Sequence, residues 1–220
     1  MYNNGESDLD KQDVFSITEN FFDVTVETSE VFIDSLLKDG ILKDLPLVGI
    51  LLALFKAGRK VVDIFYLKKL EAFIYGYEQL PEKINEKLSS EFEDEKKRKD
   101  LGEKILFIIE NVDSTVKAKL IGKLLKLLKN GEIASTTFLR LCHLINKSFY
   151  DDLLSLKKFT NDDMILTANN DIIEYIILEE LFSSGWLSEL GFDGGDAAGN
   201  NSGTRYGLNS FAKIIIPLLP

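Results

Sequence analysis

Cys142 and His143 are the chain's one cysteine and one histidine, so any thiolate–imidazole chemistry has to be theirs. A thiolate nucleophile needs a base facing it within hydrogen-bond reach. Successive residues in a helix point about 100° apart, and these two are neighbours. Cys142 also falls on an apolar stripe, where a cysteine is usually a small buried hydrophobe. A zinc site needs further ligands of the same kinds, and the sequence holds no second His or Cys. The pair is expected to be structural, with neither a catalytic nor a metal role.

Carboxylates are the other reactive groups present in number. The pairs Asp151-Asp152, Asp162-Asp163 and Glu179-Glu180 are adjacent rather than three or four residues apart, so neither member shares a helix face with the other. The loop "DGGDAAGNNSG" invites a calcium reading. An EF-hand loop needs oxygen donors at alternating positions and a closing Glu, whereas positions 195 and 197 are Gly and Ala. A wing tip between two strands is the better reading. There is no phosphate loop, dinucleotide fingerprint, nucleophile elbow or metalloprotease helix. The chain is therefore read as not an enzyme, with no cofactor and no metal.

The elements that carry these residues follow from composition and periodicity. A chain of 220 residues can bury a core without disulfide or metal staples. Leu, Ile, Lys and Glu dominate and proline is scarce, which favours helices because straight-chain residues lose little rotamer freedom there. The net charge of −10 disfavours a generic nucleic-acid binder unless charge is segregated. Residues 151–220 carry −7 and residues 1–150 carry −3, so neither part is basic. A lone cysteine fits a reducing compartment, and "MYNNGESDLDKQDVF" has no basic-then-apolar leader. A cytoplasmic location is expected, with attachment to the inner-membrane surface as the alternative.

Three regions are expected: a loose polar N-terminus over 1–13, a helical bundle over 14–159 and a further unit over 160–220. Within the bundle, "LPLVGILLALFKAGRK" (45–60) holds eleven residues without a strongly polar side chain. A helix of that length spans about 16 Å, roughly half of a 30 Å hydrocarbon core. Lys43, Asp44, Lys56, Arg59 and Lys60 flank it. A single membrane span is not expected. The segment is read as a central core helix beginning at Pro46, with Leu47, Ile50, Leu51 and Leu54 as the face that would meet lipid or a partner outside the core.

Further helices are predicted from their stripes. Ile64, Leu67, Leu70 and Ile74 share one face. Ser90 and Glu93 form a capping box. Val116, Leu120, Leu124 and Leu127 share another face, flanked by Ile121, Leu125 and Leu128. Lys119, Lys123 and Lys126 form an opposite, solvated face, and Gly131 stops that helix. Phe138, Leu141, Cys142, Ile145 and Phe149 make a fourth stripe.

Over 160–220, a helix, a Gly185-Trp186-Leu187 step, two extended segments around a Gly-rich wing loop (193–204) and a short capped helix follow in order. Tyr206-Gly207-Leu208-Asn209-Ser210-Phe211-Ala212-Lys213 resembles the closing "Y-x-L-T-x-x-G-K" of winged helices. Asn209 replaces Thr and keeps a side-chain cap, while Ala212 replaces Gly. The fold class is thus mainly α: a multi-helical bundle followed by a small winged-helix-like unit. Winged helices read DNA with basic side chains. Here the helix brings Asp171, Glu174, Glu179 and Glu180, and the wing brings Asp193, Asp196 and a lone Arg205. DNA is disfavoured and a protein contact favoured, through Trp186, Asp193, Asp196, Arg205 and Tyr206.

The pieces "DSLLKDGILKDLPLVG", "LKKLEAF", "GEKILFIIENVDSTVKAKLIGKLLKLLKNGEI" and "TFLRLCHLINKSFYDDLLSL" resemble an uncharacterised family of bacterial multi-helical proteins with a winged-helix-like tail. The resemblance implies a bacterial source and a multi-helical fold, and brings no site residues with it. The expected function is a non-enzymatic cytoplasmic interaction or regulatory protein with a protein partner or a second copy of itself. The alternatives are a membrane-associated, toxin-like or phage-defence effector using residues 45–55, and a DNA-binding regulator using the winged unit.

Overall fold

A computed structural model of the chain describes residues 45–46, 64–83, 90–159, 164–166, 173–195 and 202–220. The expectations for residues 1–44 and 47–63, including Leu47, Ile50, Leu51 and Leu54, lie outside the described residues.

The described elements are α1 (Ile64–Glu78), the short turn α2 (Ser90–Glu93), α3 (Glu95–Asn111), α4 (Thr115–Lys129), α5 (Ser135–Lys147) and α6 (Tyr150–Ser155), which a 3-10 turn extends. Then come β1 (Met164–Leu166), α7 (Tyr175–Ser183), β2 (Leu187–Asp193), β3 (Gly203–Leu208) and α8 (Ser210–Ile215), the last also extended by a 3-10 turn. The protein is mainly helical, with a small antiparallel sheet near its C-terminus, its strands in the order β1-β3-β2. Leu67, Leu70 and Ile74 are buried as their spacing predicts, and so are Phe138, Leu141, Cys142 and Ile145.

Helix α4 is the hub among the described helices. Ser114 caps its start by accepting from the Lys117 N–H at 3.5 Å. Its end is a Schellman turn: Gly131, at φ 69°, donates to Leu128 and Glu132 donates to Leu127, each at 2.9 Å. Only a residue free of Cβ strain takes that φ readily, which is why Gly131 stops the helix as expected.

The lysine face of α4 is solvated only in part, which corrects the sequence expectation: Lys119 and Lys123 are half-buried and Lys126 is buried. Lys126 and Lys129 are buried and converge on Glu82, at 3.9 and 2.9 Å. Lys117, 1% exposed, reaches Asp113 at 2.7 Å and the Asn146 carbonyl at 3.5 Å. Lys123 donates to the Leu218 carbonyl at 2.7 Å, and the Lys119 ammonium sits 4.5 Å from the centre of the Tyr75 ring. A buried ammonium is costly unless it is paired or hydrogen-bonded; Lys117, Lys123 and Lys129 reach oxygens within hydrogen-bond distance, and Lys126 has Glu82 at 3.9 Å and the Tyr77 ring 4.6 Å from its ammonium. Several lysines seat on the carbonyl ends of other helices. Lys69 of α1 donates to Glu110 and Val112 at the end of α3, at 2.6 and 3.0 Å. Lys147 donates to Ser183 at the end of α7, at 2.7 Å. Helix C-termini carry partial negative charge, so each contact both satisfies an orphan carbonyl and fastens two helices together.

Helices α1 and α4 meet backbone to backbone. A Cβ built on Gly122 would lie 1.9 Å from the Phe73 carbonyl oxygen, and one on Gly76 would lie 1.9 Å from that of Lys119. Each glycine has an alanine four residues before it, Ala72 and Ala118. Residues four apart share a helix face, so each helix presents a groove of small residues to the other.

Two further expectations change. Ser90–Glu93 is itself a helical turn, and Asp94 caps the following helix by accepting from the Lys97 N–H at 2.9 Å. Phe149 is exposed because α5 ends at Lys147, so Phe149 has left the helical stripe.

Candidate interaction surface at the C-terminal unit

The unit after residue 160 is built around Trp186. Gly185, at φ 91°, ends α7 in a second Schellman turn, with Gly185 donating to Phe182 and Trp186 to Leu181, each at 2.9 Å. The turn drives Trp186 inward. The indole is 0% exposed and donates to the Ser148 hydroxyl at 2.6 Å, while that hydroxyl donates to the Leu144 carbonyl at 2.8 Å. Asn209 caps α8 as expected, accepting from Phe211 and Ala212 at 3.0 and 3.1 Å, and its amide donates to the Gly185 carbonyl at 2.7 Å. Trp186, Leu187, Tyr206, Ala212 and Ile215 belong to one continuous apolar core with the helices before them.

The sheet has two unlike faces. Opposed residues of an antiparallel pair project to the same side. Tyr206 opposes Glu189, and Thr204 opposes Phe192. Strict alternation along β2 would put Glu189 and Phe192 on opposite sides. The register slips at Leu190, and Gly191 takes φ 107°, so this bulge returns Phe192 to the Tyr206 side. The other side carries Arg205 and Asp193, which form an ion pair.

Helix α7 lies over the Tyr206 side. Leu178 and Leu181 point into the core. Tyr175, Glu179 and Phe182, spaced i, i+4 and i+7, form a different stripe. The Phe182 and Tyr206 rings are 5.1 Å apart and tilted, and the Tyr206 hydroxyl donates to Glu179 at 2.7 Å. Burial first, and then the Glu179 carboxylate, push the Tyr206 phenol well above its usual range. The charge of Glu179, then a hydrogen bond to it, raise the Tyr175 phenol too. Tyr175 is 61% exposed, Phe182 37% and Phe192 72%, and Ile176 and Leu190 are exposed as well. The result is an aromatic face set with Glu179 and Glu189, with Glu174 exposed at the start of α7, while Glu180 lies toward Asp152 of α6. Exposed aromatic side chains gathered on one side of a unit mark interaction sites more often than scattered ones do.

The five surface residues expected from sequence are thus divided. Trp186 is a core side chain and Tyr206 is buried, with only its hydroxyl committed to Glu179. Asp193 and Arg205 pair with each other on the opposite side of the sheet. Asp196 lies outside the described residues. Tyr175, Ile176, Phe182, Leu190 and Phe192 were not singled out. The signal available for α7 was the second, off-core stripe; the Phe192 orientation depends on the bulge.

Elsewhere, Cys142 is buried and its thiol is pushed far up by that burial, while His143 is exposed. The two therefore point apart, as helix geometry requires. Among the described residues no group of His, Cys, Asp and Glu is arranged to hold a metal ion, and no helix is long and apolar enough to cross a membrane. An open depression of about 460 Å³ lies between α3 and α5, lined by Asp100, Glu103, Lys104, Phe107, Ile108 and Leu139. Comparison with protein-family models, with curated proteins and with solved structures finds no match to this chain.

Proposed function

We propose that this chain is a non-enzymatic, cytoplasmic interaction or regulatory protein of bacterial type that docks a protein through its C-terminal unit. The carrying observation is the collection of Tyr175, Phe182 and Phe192 on one carboxylate-flanked face. Aromatic side chains on a rigid helix and strand supply large contact area at low entropic cost. The unit itself is read as winged-helix-like. Its strand order, with α7 between β1 and β2 and a capped helix after β3, supports that reading. The helix that reads DNA in such units here offers Tyr175, Ile176, Glu179 and Glu180, which suits a protein surface and repels phosphate.

The test is affinity capture from the host by the wild type and by a Tyr175→Asp/Phe192→Asp variant. A defined partner held by the first and lost by the second is expected. Equal capture by both removes the surface from the account. Hydrolysis of nucleotide, nucleic acid or peptide by the purified protein overturns the non-enzymatic reading.

A further inference from the structure

We propose that the face built from Tyr175, Glu179, Phe182, Glu189 and Phe192 binds an arginine side chain presented by the partner protein. The inference rests on the docking reading above and names the chemistry of the occupant.

The face is organised around Tyr206. Glu179 of α7 accepts from its hydroxyl at 2.7 Å, and the Phe182 ring lies 5.1 Å from its ring. Glu189 is the residue opposite Tyr206 in the β2–β3 ladder, so the two side chains project to one side. Tyr175 stands one turn before Glu179 and hydrogen-bonds to it. The bulge at Leu190 brings Phe192 to this side as well. The charges gathered here have one sign. Glu179, Tyr175 and Glu189 all act on the Tyr206 phenol, and each raises it. No lysine or arginine among the described residues is among the groups that shift it. Arg205 faces Asp193 on the other side of the sheet. Glu189 is exposed, and its carboxylate makes no hydrogen bond or ion pair among the described residues.

Two carboxylates beside exposed rings select the occupant. A purely apolar partner would strip water from Glu179 and Glu189 and return nothing to them, which is costly. An anionic partner meets repulsion. A cation satisfies both carboxylates, and residues 151–220 together carry −7, which draws a cationic partner toward this end of the molecule. Arginine suits the arrangement better than lysine. Its guanidinium is flat and carries five N–H donors in a fixed fork. It lies on an aromatic ring while its edge donates to carboxylates, and its stem covers apolar area such as Phe192. A lysine ammonium is a compact, strongly hydrated point charge with no flat surface to stack.

Selection of phage-displayed random peptides on the immobilised full chain tests this. The enriched peptides are expected to share an arginine. One such peptide, labelled and followed by fluorescence anisotropy, is expected to bind about tenfold or more weakly when citrulline, the neutral isostere, replaces that arginine. Glu189→Gln is expected to weaken the arginine peptide by a similar factor and to leave the citrulline peptide unchanged. Glu189 is exposed, so this variant keeps its fold, which circular dichroism checks. A selection that yields no shared arginine, a citrulline peptide that binds as tightly as the arginine peptide, or a Glu189→Gln protein that binds as the wild type does overturns the proposal. If the arginine is overturned but host capture still depends on Tyr175 and Phe192, the docking surface stands with a different occupant. If capture is also indifferent to those residues, the docking reading falls with it.

Discussion

Replacing Gly122 with Ala tests the architecture through its sign. At an ordinary helix interior, glycine to alanine stabilises by about 1 kcal/mol. Here the new Cβ would lie 1.9 Å from the Phe73 carbonyl oxygen and 2.8 Å from the Tyr77 nitrogen. A comfortable carbon–oxygen contact is about 3.3 Å, so α1 and α4 must separate by more than about 1 Å. Both clashing atoms are backbone and cannot rotate aside. Overpacking costs roughly 1–3 kcal/mol when side chains can yield, and here they cannot. A gap of that size also forfeits a quarter to a half of each dispersion contact it opens. Phe73, Tyr77, Ile121, Leu124 and Leu125 are the buried side chains nearest the seam. We expect a net loss of about 2 kcal/mol or more after the helix gain. For a chain this long that lowers Tm by roughly 4–8 °C. Thermal and urea unfolding followed by circular dichroism measure it. Gly76→Ala, aimed at the Lys119 carbonyl, should behave alike, and the double variant should cost less than the sum because the first change has already parted the helices. A Gly122→Ala protein as stable as the wild type, or more stable, refutes the backbone contact.

Ser148→Ala removes the acceptor of the one tryptophan's buried N–H; we expect a loss of about 1–3 kcal/mol and a shift in Trp186 emission in the folded state. Glu82 has its carboxyl lowered by the Lys129 hydrogen bond, so its contribution is present above the ordinary carboxylate range and is lost as pH falls from there through the lowered carboxyl. Glu82→Gln should destabilise at pH 7 by no more than about 1 kcal/mol, since the pair is partly exposed, and the difference from wild type should vanish in acid. Asp152 is shifted the other way, raised by burial and then by Glu180 and Asp151. Its ionisation therefore opposes folding, and Asp152→Asn should stabilise at pH 7 and lose that advantage as pH falls through the raised carboxyl; urea unfolding at several pH values separates the two signs. Cys142 should resist iodoacetamide in the native protein and react fully in denaturant, as read by mass spectrometry, because burial holds its thiol neutral and covered.

Helices were legible because apolar residues recur at helical spacing, and Gly131, Gly185 and Asn209 mark ends by local chemistry that needs no distant partner. The surroundings of those helices were less legible. A lysine stripe looks the same whether water or a neighbouring helix's carbonyls cover it, so the burial of Lys117, Lys126 and Lys129 could not be read from α4 alone. The Ala72/Gly76 and Ala118/Gly122 spacings were visible in the sequence, and a glycine inside a helical pattern is a cue to close packing; only the pairing of the two helices gives the cue its meaning. Ser90 fits a capping pattern as well as Asp94 does, and the choice is made by where the chain turns. The interaction face was hidden by a single backbone event. One extra residue at Leu190 moves Phe192 across the sheet, and periodicity has no means of announcing a bulge.

The face of α7 and β2 is proposed to meet a protein in the cell. A photo-cross-linking amino acid placed at Phe192, at Tyr175 and, as a control, at Glu103 on α3 tests it without disturbing the core. Discrete protein adducts are expected from positions 192 and 175 and none from position 103. Adducts of equal yield from all three, or from position 103 alone, would contradict it.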